Sequence, residues 1–274
     1  MNLEPISLPW ISVIIPTYGE RGVGLTRKCL HSLRETHAHL KPEITVVSDG
    51  DVGADLLADV CDVYQARLII QERGGFAKAC NRGLVESNGI ISFLVNNDIE
   101  FYEPTLQIMA SAADGMGASV VGCKLIYPNR TLQHAGVFFV PKPAGLDYPL
   151  PGWFDHVHRN EHEHHPGAVS IRNSFVTGAL FGITQWALGT VGLLDTRFGF
   201  SCEDIDYQLR CLESGKAPVY VAFTGAIHRE GATRGATPEK KMELAPDVAR
   251  RERESLEFLF QKWIGFDWRM LEIG

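Results

Sequence analysis

This sequence has few of the features that mark a secreted, fibrous or nucleic-acid-binding protein. Its six cysteines (Cys29, Cys61, Cys80, Cys123, Cys202 and Cys211) are scattered without a C-x-x-C pair. In 274 residues that pattern predicts buried, reduced thiols rather than a disulfide framework. Basic residues are in deficit, 26 against 33 acidic ones for a net charge of −7, which argues against a dedicated nucleic-acid binder with its basic face. The amino end, MNLEPISLPW, has an acid and two prolines where a signal peptide needs a basic start and an apolar run, so a cytoplasmic location is expected. Long apolar runs are equally scarce. The one uncharged stretch long enough to span a bilayer, residues 173–194, is interrupted by Gly178, Gly182, Gly189 and Gly192 and by Thr177, Thr184, Gln185 and Thr190. That hydropathy suits buried strands and a short helix. What remains is an ordinary folded composition, 45% hydrophobic and 22% charged, with enough chain for a sizeable core.

The first half alternates short β-rich runs with helical spacing. Strands are predicted at Ile11–Ile15 (stopped by Pro16), Ile44–Val47, Arg67–Ile70 and Ile90–Val95; helices at 25–37, 54–63 and 75–86. Strands alternating with helices imply βαβ units and a parallel sheet with right-handed crossovers. The second half is less regular. A helix is predicted at 105–113, strands at 119–124, 175–183 and 218–222, a hairpin strand at 136–140, and an irregular loop over 141–168. Helices follow near 186–191 and at 203–213, closed by Gly215, and the chain ends in a helix carrying Leu256, Leu259, Phe260, Trp263 and Ile264. There is no internal repeat and no clear linker, so one domain is the simplest reading.

Ligands of an open α/β sheet sit beyond the carboxyl ends of its strands. Three polar segments fall there: Pro16-Thr17-Tyr18-Gly19, Ser48-Asp49-Gly50-Asp51 and Asn96-Asn97-Asp98. Each alone reads more readily as a turn, and it is their convergence on one sheet edge that points to a site. Farther on, Glu203, Asp204 and Asp206 crowd the start of a helix. A helix dipole favours such acids without any further role. Asp204, however, follows the aromatic-glycine segment 198–202, and a carboxylate against apolar surface gains a raised pKa and a base role. His228 follows a late strand, where a lone histidine is more often structural than functional.

Taken in order, SVIIPTYG at 12–19, GGFAKACNRGL at 74–84, FLVNND at 93–98, VTGALFGI at 176–183, FGFSCEDIDYQLR at 198–210 and His228 resemble the family 2 glycosyltransferases of GT-A fold, especially their bacterial rhamnosyltransferase-like branch. The resemblance covers roughly residues 10 to 230. It implies an α/β fold with a nucleotide-sugar-binding half at about 10–125, an acceptor and catalytic half at about 126–235 and a helical segment at about 236–274. It also implies inverting transfer of a sugar from a nucleotide diphosphate donor, UDP- or dTDP-linked, to a saccharide or lipid-linked acceptor. By that resemblance Asp204 is the catalytic base with Glu203 its acidic neighbour. Asp98 and His228 are the ligands of Mn²⁺ or Mg²⁺, and Pro16, Thr17, Tyr18, Asp49, Gly75, Asn81 and Asn97 bind the nucleotide. Two departures stand out. The second nucleotide segment reads Ser-Asp-Gly-Asp where the family has Asp-Asn/Asp-Gly-Ser, and Asn96 and Asn97 replace acids, leaving one carboxylate for the metal.

Arg229 and Arg234 lie in a Gly-rich stretch that either covers the diphosphate or is a solvated basic loop. Residues 155–165 hold five of the ten histidines, read as an exposed loop over the acceptor site in preference to a transition-metal site. The C-terminal segment, with Arg250, Arg251 and Arg253 ahead of Phe258, Trp263, Phe266 and Trp268, either lies on a membrane or packs against the domain or a second subunit. Two other functional classes fit the sheet less well. A sugar-nucleotide pyrophosphorylase needs a Gly-rich basic signature after the first strand, for which P-T-Y-G-E-R is a poor match. A non-catalytic nucleotide-sugar-binding protein has no use for Asp204 and His228.

Overall fold

The computed structural model describes residues 10–230 and 247–272. Its first half is the predicted alternation: β1 (Ile11–Thr17), α1 (Gly19–His37), β2 (Glu43–Asp49), α2 (Ala54–Val63), β3 (Arg67–Gln71), α3 (Phe76–Val85) and β4 (Ile91–Val95). Then come β5 (Ile99–Phe101), α4 (Thr105–Met116), β6 (Val120–Ile126), β7 (Leu132–His134), β8 (Val137–Pro141), β9 (Gly152–His156), β10 (Arg172–Asn173), β11 (Leu180–Thr184), α5 (Gln185–Val191), α6 (Glu203–Glu213), β12 (Val219–His228) and α7 (Val248–Lys262). One mixed sheet runs β10-β12-β6-β11-β4-β1-β2-β3, with β5 on β12 and β7 on β6, and β8 with β9 forms a separate hairpin. The sheet is parallel from β4 through β3 and turns antiparallel at β11.

Alternation along β1 shows how the layers form. Ile11, Val13 and Ile15 face one apolar cluster, with Leu30 and Leu33 of α1, Leu57 of α2 and Met109 of α4. Ile14 faces the other, with Cys80 and Leu84 of α3, Phe181 of β11 and Tyr207 of α6. Period 2 in a strand covered on both faces produces that split, and each buried Leu or Ile contributes about 1.5–3 kcal/mol. Five cysteines are buried, Cys202 is partly buried, and all six are free thiols.

Several boundaries differ from expectation. β1 continues through Pro16 to Thr17, because its pairing to β4 ends at Ile14 and only β2 accompanies it beyond. At a position paired on one side only, a missing N–H is tolerated. α1 begins at Gly19, six residues before the predicted start. The expected strand at 175–183 starts only at Leu180, since Val176 gives both backbone groups to the Gln208 side chain instead of the sheet. β12 runs to His228 across a bulge between Val221 and Gly225, and the Glu103 carboxylate accepts from Thr224 Oγ1 and Gly225 N there. The stretch read as irregular contains β9. The uncharged segment 173–194 is broken into β10, β11 and α5, and among the described residues no helix is long and apolar enough to cross a membrane. α7 buries Leu259 and Trp263 against Phe198, Ile205 and Leu209 of its own chain, while Ile264 is exposed.

Candidate active site

At the carboxyl ends of β1, β2 and β4 the predicted nucleotide segments meet. Asp49 ends β2 and accepts from Gly74 N (2.7 Å), Gly75 N (2.9 Å) and Gln71 Nε2 (2.9 Å), tying the second segment to the start of α3. Gly75 holds φ at +89°, which lets consecutive amides face one carboxylate at the cost of conformational freedom. Thr17 Oγ1 accepts from Asn97 Nδ2 at 2.8 Å, joining the ends of β1 and β4. Gly22 sits over that bond so closely that a Cβ there would come within 2.4 Å of Thr17 Oγ1. Tyr18 is half-exposed at the rim, with the Arg73 guanidinium 4.2 Å from its ring centre and 2.8 Å from its hydroxyl. Asn81 is committed elsewhere: its amide donates to Leu194 O and accepts from Leu194 N (2.8 and 3.0 Å), clipping α3 to the segment before α6.

Sheet register brings the two predicted metal ligands together. Ile99 pairs with His228 across β5 and β12, and Arg229 N donates to Asp98 O at 3.0 Å. Asp98 Oδ1 and His228 Nε2 stand 3.1 Å apart, both nearly buried. Around an octahedral ion with donors about 2.1 Å away, two adjacent ligands lie about 3.0 Å apart, so the pair fits a small divalent cation. Among the described residues no group of three or more His, Cys, Asp and Glu side chains is gathered for a metal. Among the described residues Asp98 and His228 would be the two side-chain donors to such an ion. Arg229 is engaged by Glu100 (Nε to Oε1 2.5 Å, Nη2 to Oε2 3.2 Å), and Arg234 lies outside the described residues.

A relay absent from the sequence reading lies behind His228. Its Nδ1 is 2.6 Å from Gln133 Oε1, and Gln133 Nε2 donates to Glu230 Oε2 at 3.1 Å. Glu230 also accepts from the Tyr127 hydroxyl and from Arg159 Nη2, each at 2.8 Å. Burial pushes the Glu230 carboxyl up, but Arg159, the Tyr127 hydrogen bond and the neighbouring histidines outweigh it and hold the group below its usual range.

Asp204 opens α6. Its Oδ2 accepts from Gly178 N (2.7 Å) and its Oδ1 from Ile205 N (2.8 Å). One turn on, Gln208 brackets both backbone groups of Val176. Next along that segment, Ala179 O accepts from Asn96 N at 2.9 Å, so Asp204 is moored one residue from the anchor of the Asn96-Asn97-Asp98 segment. Burial raises the Asp204 pKa against the lowering effect of the two amides. Glu203 is buried beside it; burial first, and then the charges of Glu203 and Asp49, push the Cys80 thiol up.

Gln133, Glu230, Tyr127, Arg159 and Arg73 were not singled out from the sequence. The His-rich loop runs beside β7, through Leu132 N to Glu161 O and Asn160 N to Leu132 O, and delivers Arg159 to Glu230.

Residues 12–139 match the model of glycosyl transferase family 2. An uncharacterized protein, y4gI, from Sinorhizobium fredii is 29% identical over 93% of this chain and 28% of its own length. The O-antigen biosynthesis protein RfbC of Myxococcus xanthus is 27% identical over 83% of this chain and 18% of its own. The chain thus spans less than a third of the length of these relatives. Among solved structures, GalNAc-T7 with UDP, GalNAc and Mn²⁺ superposes with a TM-score of 0.63 at 14% identity, covering 88% of this chain and 48% of that one. The fold is that of the GT-A glycosyltransferases. The stretch that matches the glycosyl transferase family 2 model, residues 12–139, carries Thr17, Asp49 and Asp98 on that fold.

Proposed function

We propose that this chain moves a sugar, with inversion, from a nucleotide diphosphate donor to a hydroxyl of a saccharide or lipid-linked saccharide. The observation that carries the reading is the convergence of Asp98, His228 and Asp204: the first two are 3.1 Å apart, and the third is held by the Gly178–Ala179 segment that anchors Asn96. A GT-A relative holding UDP, a sugar and Mn²⁺ in one complex supports the donor class.

Thr17, Tyr18, Asp49 and Gly75 surround the end where a base and ribose would lie, and a UDP- or dTDP-linked donor is the preferred class. Asp98 and His228 would hold Mn²⁺ or Mg²⁺ against the diphosphate. Bound there, the ion supplies positive charge to a departing nucleoside diphosphate. A mixed imidazole and carboxylate pair suits Mn²⁺ better than Mg²⁺, which prefers oxygen alone. A sugar hydroxyl is a poor nucleophile at neutral pH, and Asp204 takes its proton as the new bond forms. The Gly178 and Ile205 amides aim that carboxylate, and partial burial keeps it basic enough to act. With base and leaving group on opposite sides of the anomeric carbon, displacement is in line and the configuration inverts.

The test is a thermal-shift screen of nucleoside diphosphates with and without Mn²⁺, on the wild type and Asp98→Ala. The expected result is stabilisation by one base class that needs Mn²⁺ and disappears in the variant. No stabilisation by any nucleoside diphosphate, or an unchanged Mn²⁺ response in Asp98→Ala, overturns the reading.

A further inference from the structure

We infer that Gln133 and Glu230 are positioning residues that set the tautomer of His228, so that Nε2 presents its lone pair beside Asp98. The inference rests on the reading of Asp98 and His228 as ion ligands. It follows by elimination from donors and acceptors. Glu230 Oε2 accepts from Arg159 Nη2 and from the Tyr127 hydroxyl, so it is an acceptor, and the Gln133 group facing it at 3.1 Å must be the amide NH₂. That fixes the other end of the amide as oxygen. Oxygen cannot donate, so the 2.6 Å contact requires the hydrogen to sit on His228 Nδ1.

A neutral imidazole with its hydrogen on Nδ1 has a lone pair on Nε2. That lone pair points at the Asp98 carboxylate 3.1 Å away. Two acceptors at that distance repel unless a positive charge lies between them. A second ring proton or a bound cation supplies that charge; with the relay holding the hydrogen on Nδ1, the neutral ring offers its Nε2 lone pair to the cation. Burial keeps it in order: Gln133 is 1% exposed and His228 8%. Glu230 is fixed by groups from two other segments, Tyr127 after β6 and Arg159 in the His-rich loop. The loop thus acts on the ion site at third hand, through Arg159, without supplying a ligand.

Outer-sphere partners of a metal-bound histidine are worth roughly 10–100-fold in affinity. The test measures Mn²⁺ alone, from the loss of its free-ion EPR signal on titration with protein, alongside the melting temperature. Gln133→Leu is expected to weaken Mn²⁺ binding about 10–100-fold. Gln133→Glu, which sets two carboxylates face to face, should weaken it too. Glu230→Gln keeps an oxygen where Gln133, Arg159 and Tyr127 all donate. Affinity in that variant should stay within about threefold of wild type on the scale of the outer-sphere effect. A folded Gln133→Leu with wild-type Mn²⁺ affinity overturns the inference. So does a Glu230→Gln variant as weak as Gln133→Glu, a comparison that holds even where Gln133→Leu does not fold. If the wild type itself binds no Mn²⁺ while Asp204-dependent transfer persists, the ion site fails and the relay with it.

Discussion

Asp204 is a carboxylate placed where its charged form is costly, and that determines its pH behaviour. Burial raises its pKa, with the Gly178 and Ile205 amides opposing. A base must be deprotonated to act, so kcat/KM should rise with pH through an acid limb lying above the ordinary Asp value of about 3.9. Asp204→Asn keeps the shape and removes the base; transfer should fall by about 10²–10⁴-fold. Donor affinity, read by titration with the nucleoside diphosphate and Mn²⁺, should stay nearly unchanged, and full turnover in the variant removes Asp204 from the role. Asp98, Asp204 and His228 could be picked out in the sequence because each sits in a short segment whose order along the chain carries information. Gln133 could not. It meets His228 across 95 positions through sheet register alone, and its own neighbours in sequence, Leu132 and His134, give no sign of a polar relay. Arg73 was missed for the same reason, since its partner Tyr18 lies 55 positions away.

Elements were legible where burial follows a single period. α2 was placed at its observed bounds, and β2, β3, β4 and α6 within two residues, because apolar spacing and flanking turn residues agree there. α1 was truncated because Gly19, Gly22 and Gly24 are poor helix formers, yet Gly22 is what lets the first turn approach Thr17. The docking of α7 on α6 was also hidden, since it depends on one buried acid. Asp206 is fully buried and binds Arg210 Nε (2.9 Å), Lys262 Nζ (2.6 Å) and Trp263 Nε1 (2.9 Å). It lies two residues from Asp204, so the C-terminal helix braces the element that carries the proposed base. Asp206→Ala takes a buried partner from Arg210 and from Lys262, which keeps Asp195, and leaves Trp263 Nε1 without its acceptor; it should cost about 3 kcal/mol. Trp263→Phe removes one hydrogen bond and should cost about 1 kcal/mol. Urea unfolding separates these effects by midpoint at constant slope, and equal losses in the two variants would show that Asp206 is not the centre of the brace.

Across the whole molecule, acid should loosen the fold through histidines buried neutral. Burial lowers the pKa of His134 and His156, and it pushes His37 down to about 4. His37 Nε2 accepts from Leu106 N at 3.0 Å, so the neutral ring satisfies an amide in the first turn of α4 and its protonated form cannot. In the unfolded chain a histidine takes up its proton near pH 6.5. Between about pH 6.5 and 4 the unfolded state therefore binds more protons than the folded one, and stability falls as pH falls, most of the His37 share being lost by about pH 4. Asp195 adds to this at still lower pH: Arg197, with help from Lys262 and against burial, holds its carboxyl well below the usual range, and that contribution disappears only when the carboxylate is protonated. His37→Gln keeps an acceptor near Leu106 N and does not titrate. The variant should be less stable than wild type at pH 7.5, and the gap should narrow as the pH is taken to 5, because only the wild type loses the His37 contribution on the way. Urea midpoints at the two pH values measure the gap directly. A gap that stays constant would mean that His37 is protonated equally in both states, and the acid sensitivity would then have to come from His134, His156 and the carboxylates alone.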